Sequence, residues 1–233
     1  MRREDSEIVR ELPLFRGVEL ENFRTLIAAG YVQRFPTGTV LIHEGERPDF
    51  LHVLVDGQIA FFASHNDREA TVSILTPPAA FILAAVIVDG PYLKSARTLS
   101  SSTTVVLIPA GAVREVFERD TGFARATVAE LACRYRTIVK ELKNVRLRSS
   151  SERLANWILT QASQSGGCGT FRLPFEKRAL ASRLGMRPEN LSRALAELAE
   201  AGVTVDGPMI RVGDAAKLIA FSKPNPLIDD PTS

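Results

Sequence analysis

The feature that most constrains this chain is a stripe of apolar residues at coiled-coil spacing. Ala124, Val128, Leu131, Tyr135, Ile138, Leu142 and Val145 follow one another at steps of 4, 3, 4, 3, 4 and 3, an a/d seam. The surrounding segment, about Val113 to Val145, has no proline and a single glycine, Gly122, so it reads as one long helix. A helix buried against its own domain spreads its apolar face wider than two positions in seven. The seam therefore calls for a partner helix, and the simplest partner is the same helix in a second copy of the chain. Tyr135 suits such a seam provided its hydroxyl reaches the rim.

The residues before that helix have a different texture. Segments 31–35, 39–42, 50–55, 58–62, 71–75 and 103–108 are short and rich in β-branched or aromatic residues. Turn formers separate them: Pro36-Thr-Gly38, Glu44-Gly-Glu-Arg-Pro48, Asp56-Gly57, Asn66-Asp67 and Pro77-Pro78. Asp56-Gly57 between two alternating runs is a strong hairpin signal. Many short, evenly punctuated strands predict a small antiparallel barrel or jelly roll. Ahead of them, Ser6 to Ala29 carries apolar residues at helical spacing.

Beyond the long helix, Ser149-Ser-Ser151 reads as a break and an N-cap for a helix over 152–163. A glycine-rich stretch ending at Gly169 and a short strand over 170–173 precede two further helices. The first runs from Arg178 to Leu184, Gly185 turns the chain, and Pro188 opens the second, which ends near Ala201-Gly202. Segments 203–205 and 209–212 flank Asp206-Gly-Pro208 and make a hairpin, a wing. The tail after Lys223 reads as disordered.

Ala181, Gly185 and Leu191 carry the strongest chemical hint. Crossing helices need a small residue at the first position, a turn former at the second and a buried aliphatic at the third. The second helix then exposes Arg187, Glu189, Asn190, Ser192 and Arg193 near its N-terminus, where a recognition helix meets base edges. Arginine suits guanine, asparagine adenine, and glutamate the amino group of cytosine. Lys177 and Arg178, at the start of the preceding helix, suit phosphates. Charge agrees with this placement. Residues 1–133 hold 13 basic and 17 acidic side chains, whereas 134–148 hold Arg134, Arg136, Lys140, Lys143, Arg146 and Arg148 against Glu141 alone. Between Arg172 and Arg193 six basic groups face Glu176 and Glu189. Double-stranded DNA is the expected partner of such a zone, the alternative being a solvated helix face.

Other classes fare worse. Two cysteines, Cys133 and Cys168, make neither a disulfide framework nor a four-thiolate metal site. No apolar run reaches the ~18 residues of a membrane span, and the first residues lack a secretory pattern, which points to a soluble cytoplasmic protein with no membrane partner. No phosphate-cradling loop, metal-ligand spacing or nucleophile elbow suggests an enzyme.

From Leu12-Pro-Leu-Phe15 to Val212 the chain resembles the CRP/FNR family of bacterial transcription regulators. The segments that carry the likeness are Phe35-Pro-Thr-Gly-Thr-Val-Leu-Ile-His-Glu-Gly-Glu46, Leu51-His-Val-Leu-Val-Asp-Gly57 and Leu184-Gly-Met-Arg-Pro-Glu-Asn-Leu-Ser-Arg193. The resemblance implies an α+β architecture: an antiparallel cyclic-nucleotide-binding-type β-roll over 1–112 that senses an effector, a dimerisation helix over 113–148, a winged helix-turn-helix over 149–223, and the tail 224–233. It implies a homodimeric activator that meets RNA polymerase. Glu189, Ser192 and Arg193 match the set of the FNR branch, which implies TTGAT-like half-sites with Glu189 and Arg193 on the G·C pair. Pro188 and Asn190 depart from the commonest residues there.

The effector pocket departs from the family's nucleotide-binding pattern. Cyclic-AMP-binding members carry Gly-Glu for the ribose and Arg-Ser for the cyclic phosphate. Here the corresponding residues are Phe81, Ile82, Leu83, Ala84 and Ala85, then Lys94 and Ser95. Without a carboxylate at Ala84 or a bidentate arginine at Lys94, the ribose and phosphate lose their main partners, which argues against cAMP. No N-terminal cysteine cluster is present for an iron–sulfur centre. The helix-turn-helix segment looks nearest to nitrogen-oxide-responsive members, for which a haem is the implied sensor of NO. No metal ligand is assigned, since His43, His52 and His65 read as structural or solvated. Two alternatives remain: a cyclic-nucleotide-responsive regulator, and a ligand-binding β-roll with a C-terminal protein-interaction module.

Overall fold

The computed structural model describes residues 3–66, 68–165, 169–173 and 177–230, with Arg68 by its backbone alone. Asp67 of the expected Asn66-Asp67 turn, Cys168 with the two glycines before it, and residues 174–176 lie outside these. The chain folds as two compact units, residues 1–134 and 135–233. The boundary falls within residues 113–148, the stretch expected to be the dimerisation helix.

In the first unit, helices α1 (Arg3–Glu11), α2 (Pro13–Arg16) and α3 (Leu20–Ala29) precede the strands. Strands β1 (Tyr31–Phe35), β2 (Val40–Ile42), β3 (Phe50–Asp56), β4 (Ile59–His65) and β5 (Arg68–Leu75) follow where β-branched and aromatic residues predict them. After β6 (Ala79–Phe81) come helix α4 (Leu83–Val88), β7 (Ser95–Thr98) and β8 (Thr103–Pro109). Two four-stranded antiparallel sheets result, ordered β1-β8-β3-β6 and β2-β7-β4-β5. The turn into β4 needs Gly57, at φ +90°, because a Cβ there would lie 2.7 Å from the Thr103 hydroxyl and 2.8 Å from the Ser102 carbonyl oxygen. Strands β6 and β7 and helix α4 are not legible in the sequence. The apolar run over β6 and α4 has no polar punctuation, and Ile82, at φ +59°, breaks it into strand and helix; β7, Ser95-Ala-Arg-Thr98, has no β-branched or aromatic run to mark it.

The expected single helix from Val113 to Val145 is two helices, α5 (Ala110–Arg119) and α6 (Thr121–Leu147). Asp120 separates them in an extended conformation and caps the second. Its carboxylate accepts from the backbone N–H of Phe123 at 2.8 Å, and from the N–H of Glu19 and the Asn22 amide at 2.9 Å each. Gly122 is required beside it: a Cβ would come 2.2 Å from the Gly17 carbonyl oxygen.

The second unit begins with the last turns of α6. Ser149 then opens α7 (Ser150–Gln164) through a capping box with Glu152. Strand β9 (Thr170–Arg172), helices α8 (Lys177–Arg183) and α9 (Pro188–Glu200), and the hairpin β10 (Val203–Asp206) and β11 (Met209–Val212) follow, the sheet order being β10-β11-β9. Helix α10 (Ala215–Ser222) closes the core, and α11 (Pro226–Asp229) lies in the segment expected to be a disordered tail. That expectation is corrected for residues 225–230. Asn225 caps the helix by accepting from the Leu227 N–H, and Asp229 pairs with Arg148, whose side chain is buried.

Candidate nucleic-acid interface

Helix α8 ends in a Schellman motif. The N–H of Met186 donates to the Ala181 carbonyl at 2.9 Å and that of Gly185 to Ser182 at 3.0 Å, with Gly185 at φ +62°. Buried Leu180, Ala181 and Leu184 meet buried Leu191, Ala194 and Leu198 of α9 in one apolar cluster. Pro188 starts α9 with no N–H to lose, and Arg187 is the N-cap residue. With that face buried, Arg187, Glu189, Ser192 and Arg193 are exposed and Asn190 is partly so. Arg193 donates to the Asn190 side-chain oxygen, so its partner in the free protein is Asn190 rather than Glu189. Lys177 and Arg178 are exposed at the start of α8.

The predicted effector residues are placed differently. Phe81 and Leu83 are buried core, Ile82 and Ala85 partly so, and Ala84 faces solvent. Ser95 is buried and its hydroxyl accepts from the Glu44 N–H at 2.9 Å. The Lys94 ammonium lies 3.9 Å from the centre of the Phe61 ring, a cation–π contact. Phe61 and Phe81 meet edge to face inside the cluster that also holds Ile42, Leu54, Ile59, Tyr92 and Ala96. His52 is buried beside Phe81, its Nδ1 3.1 Å from the Phe50 carbonyl oxygen. Burial pushes its pKa down to about 4 against the opposing effect of that carbonyl, so the ring is neutral near pH 7. His43 and His65 are exposed. Among the described residues no group of three or more His, Cys, Asp or Glu side chains is placed to hold a metal. None of the described helices is long and apolar enough to cross a membrane.

Residues 32–120 match the cyclic nucleotide-binding domain and residues 152–221 the Crp-like helix-turn-helix domain. The chain belongs to the CRP/FNR family of DNA-binding transcription regulators. It is 28% identical over 215 residues to a cyclic AMP receptor protein of Thermus thermophilus, covering 90% of this chain and 97% of that one. It is 24% identical over 218 residues to a CRP-like cAMP-activated global transcriptional regulator of Mycobacterium tuberculosis, covering 91% and 97%. FixK2 of Bradyrhizobium japonicum shares the fold, with a TM-score of 0.68 at 20% identity over 82% of this chain and 96% of that structure.

In this CRP/FNR regulator the heptad seam is divided between two roles. Val128, Tyr135, Ile138, Leu142 and Val145 are exposed by 63, 68, 61, 54 and 50% in the single chain. Ala124 is half-buried, and Leu131 packs against the core of the first unit. Phe123 and Thr127 are buried on the face of α6 that adjoins Ala124 and Leu131, and the Thr127 hydroxyl has no hydrogen-bond partner among the described residues.

The basic zone of 134–148 is also divided. Arg134 pairs with Glu130 at 2.7 Å and donates to the Ala80 carbonyl at 2.7 Å. Lys140 donates to the Asp230 carbonyl at 2.6 Å, and Arg148 forks onto Asp229 at 2.7 and 2.6 Å. Arg136, Lys143 and Arg146 make no ion pair among the described residues. Sequence reasoning missed Arg153 entirely. It looks like an ordinary helix-surface charge, yet it is buried under the helix-turn-helix, bonded to the Leu184 and Gly185 carbonyls.

Proposed function

We propose that the protein is a homodimeric, sequence-specific regulator that reads FNR-like palindromes through α9 and senses an effector other than a cyclic nucleotide. The observation that carries the DNA half is the helix-turn-helix geometry: Leu191, Ala194 and Leu198 are buried, which leaves Arg187, Glu189, Ser192 and Arg193 outward at the helix N-terminus. Arg193 and Glu189 then take the G·C pair of a TTGAT half-site, Arg187, Asn190 and Ser192 flank it, and Lys177 and Arg178 take phosphates. The exposed seam of α6 supports pairing with a second copy, and Ala124 and Leu131 border that contact. A mobility shift on a TTGAT-N4-ATCAA duplex against a scrambled one tests the reading. Equal retardation of both, or none, would favour a protein-interaction module instead.

On the effector side, Phe81, Ile82, Leu83, Ala84, Lys94 and Ser95 do not fit a ribose and a cyclic phosphate. Ala84 offers no carboxylate, and Lys94, whose ammonium sits on Phe61, cannot make an arginine's bidentate fork; Ser95 keeps a hydroxyl hydrogen that a phosphate could take, so the misfit rests on the first two. Two relatives bearing cAMP in their names favour the opposite reading, so titration calorimetry with cAMP at millimolar concentration decides between them. No saturable heat is expected. The haem reading rests on resemblance to nitrogen-oxide-responsive members. The histidines do not fit it, because His43 and His65 are exposed and His52 is enclosed by core. An absorption spectrum with and without added haem and NO tests it. Contact with RNA polymerase and activation of transcription follow from the family alone.

A further inference from the structure

We propose that Arg153 is the positioning residue of the base-reading helix, fixing the turn between α8 and α9 to the junction between α6 and α7. This rests on the DNA-binding reading above. The Arg153 side chain is almost wholly buried, and among the described residues it makes no ion pair. Its donors go to main-chain and hydroxyl oxygens instead. Nε donates to the Leu184 carbonyl at 2.9 Å and Nη2 to that of Gly185 at 3.3 Å, with a longer contact to the Ser150 hydroxyl at 3.4 Å. Nη1 donates to the Arg148 carbonyl at 2.8 Å. One planar fork thus holds the two carbonyls that follow α8 in its C-terminal turn and the carbonyl of Arg148, one residue before the Ser149 N-cap of α7.

Stability alone does not call for a charge at this position. A buried guanidinium that has no carboxylate partner carries a desolvation cost, and a well-packed apolar residue often does as well or better. What an apolar residue cannot do is hold two separate stretches of backbone at a fixed distance and angle. The held turn is the one from which α9 departs, so the direction of Arg187, Glu189 and Arg193 follows from it. The other end of the joint is gripped in turn. Asp229 receives both Nη atoms of Arg148, and Lys140 reaches the Asp230 carbonyl, so residues 225–230 act as a strap on the junction that Arg153 reads.

The test uses the full-length dimer and the variants Arg153→Met, Arg153→Lys and Asp229→Asn. Affinity is measured for the palindrome and for a scrambled duplex at two salt concentrations, well below the melting temperature, with dimerisation followed by sedimentation. Arg153→Met is expected to remain dimeric, keep its affinity for scrambled DNA and its salt slope, and lose about tenfold or more on the palindrome. Arg153→Lys keeps the charge without the fork and should recover only part of that loss. Asp229→Asn should lower the ratio of specific to nonspecific affinity less, about threefold, in the same direction. If Arg153→Met does not fold, Arg153→Lys and Asp229→Asn carry the test. A specificity ratio unchanged in Arg153→Lys overturns the proposal, and so does a parallel fall on both duplexes, which a merely structural role would give. A wild-type protein with no preference for the palindrome would overturn the DNA-binding reading itself, before any substitution is made.

Discussion

Each unit of this regulator holds a buried charge that makes no ion pair among the described residues, and the two are of opposite sign. In the first unit the Asp120 carboxylate collects N–H donors at the positive, N-terminal end of α6. In the second, the Arg153 guanidinium collects carbonyl oxygens at the negative, C-terminal end of α8. Both replace a counterion with oriented backbone dipoles. They differ in what they hold. Asp120 caps the residues that immediately follow it and also reaches the Glu19 N–H and the Asn22 amide, 101 and 98 residues away in the chain, so it ties the start of α6 to the start of α3. Arg153 reaches 31 residues along the chain to the turn between α8 and α9. Both are tertiary contacts; the first sets a junction between helices, the second a turn.

The largest effect should come from the helix between these nodes. Ile138 is 61% exposed on α6 and touches neither node, so Ile138→Glu places a charge only at the proposed symmetric contact. Two unpaired carboxylates in a desolvated seam cost several kcal/mol, on the order of 3–5 for each broken site. Sedimentation should show a monomer with both units still folded. A dimer of unchanged stability would remove the seam from the interface. Leu131→Glu is a less clean probe, because Leu131 packs on the first unit's core and its loss should lower the melting temperature as well.

Asp120 comes next. Burial by itself would raise its carboxyl pKa, but the Phe123 N–H, the Asn22 amide and the Glu19 and Gly122 N–H groups together hold it below the ordinary value. A carboxyl whose folded pKa is depressed stabilises the fold above its unfolded pKa of ~4, and that stability is lost as pH falls through the lower, folded value. Asp120→Ala strands those donors and should cost about 2–4 kcal/mol in denaturant unfolding at pH 7. The difference from wild type should shrink as the pH is lowered below 4. A constant difference across that range would show that the ionised carboxylate is not what holds the junction, and the parallel with Arg153 would fail.

Legibility in the two units divides by how local the signal is. Strands β1–β5 and β8 could be placed because turn formers and β-branched runs are local signals. The helix-turn-helix could be placed because Ala181, Gly185 and Leu191 meet a steric demand at fixed spacing. The break at Asp120 was hidden because apolar periodicity runs on across it, although an aspartate just before Thr121-Gly-Phe123 is an N-cap pattern. Residues 225–230 were misread because Pro-Asn-Pro suggests a loose tail. Asn225 followed by Pro226 is equally an N-cap followed by proline at N1, and only Arg148 in space makes the difference. Arg153 could not have been found at all. Its partners are backbone oxygens, which every residue possesses, so no sequence pattern marks them.

The smallest effects should lie on the exposed face of the helix-turn-helix, where they separate base reading from phosphate contact. Arg193 near the N-terminus of α9 can fork onto guanine, and losing one bidentate contact costs ~1–3 kcal/mol of discrimination at that base pair. Arg193→Ala should therefore flatten preference at the G·C pair of each half-site and leave the other positions alone. Asn190, which holds Arg193 in the free protein, should give a weaker version of the same pattern when replaced by alanine. Lys177 lies exposed at the start of α8, and its proposed partner is a phosphate. Lys177→Ala should lower affinity for specific and scrambled DNA by a similar factor and reduce the salt slope by about 1 per half-site. In a dimer both effects act twice, so each should be about doubled on the palindrome relative to a single half-site. Binding measured on single-base variants at two salt concentrations distinguishes them. If Arg193→Ala keeps the wild-type preference at the G·C pair, α9 is not read in this register; if Lys177→Ala alters preference instead, the roles of the two helices are exchanged.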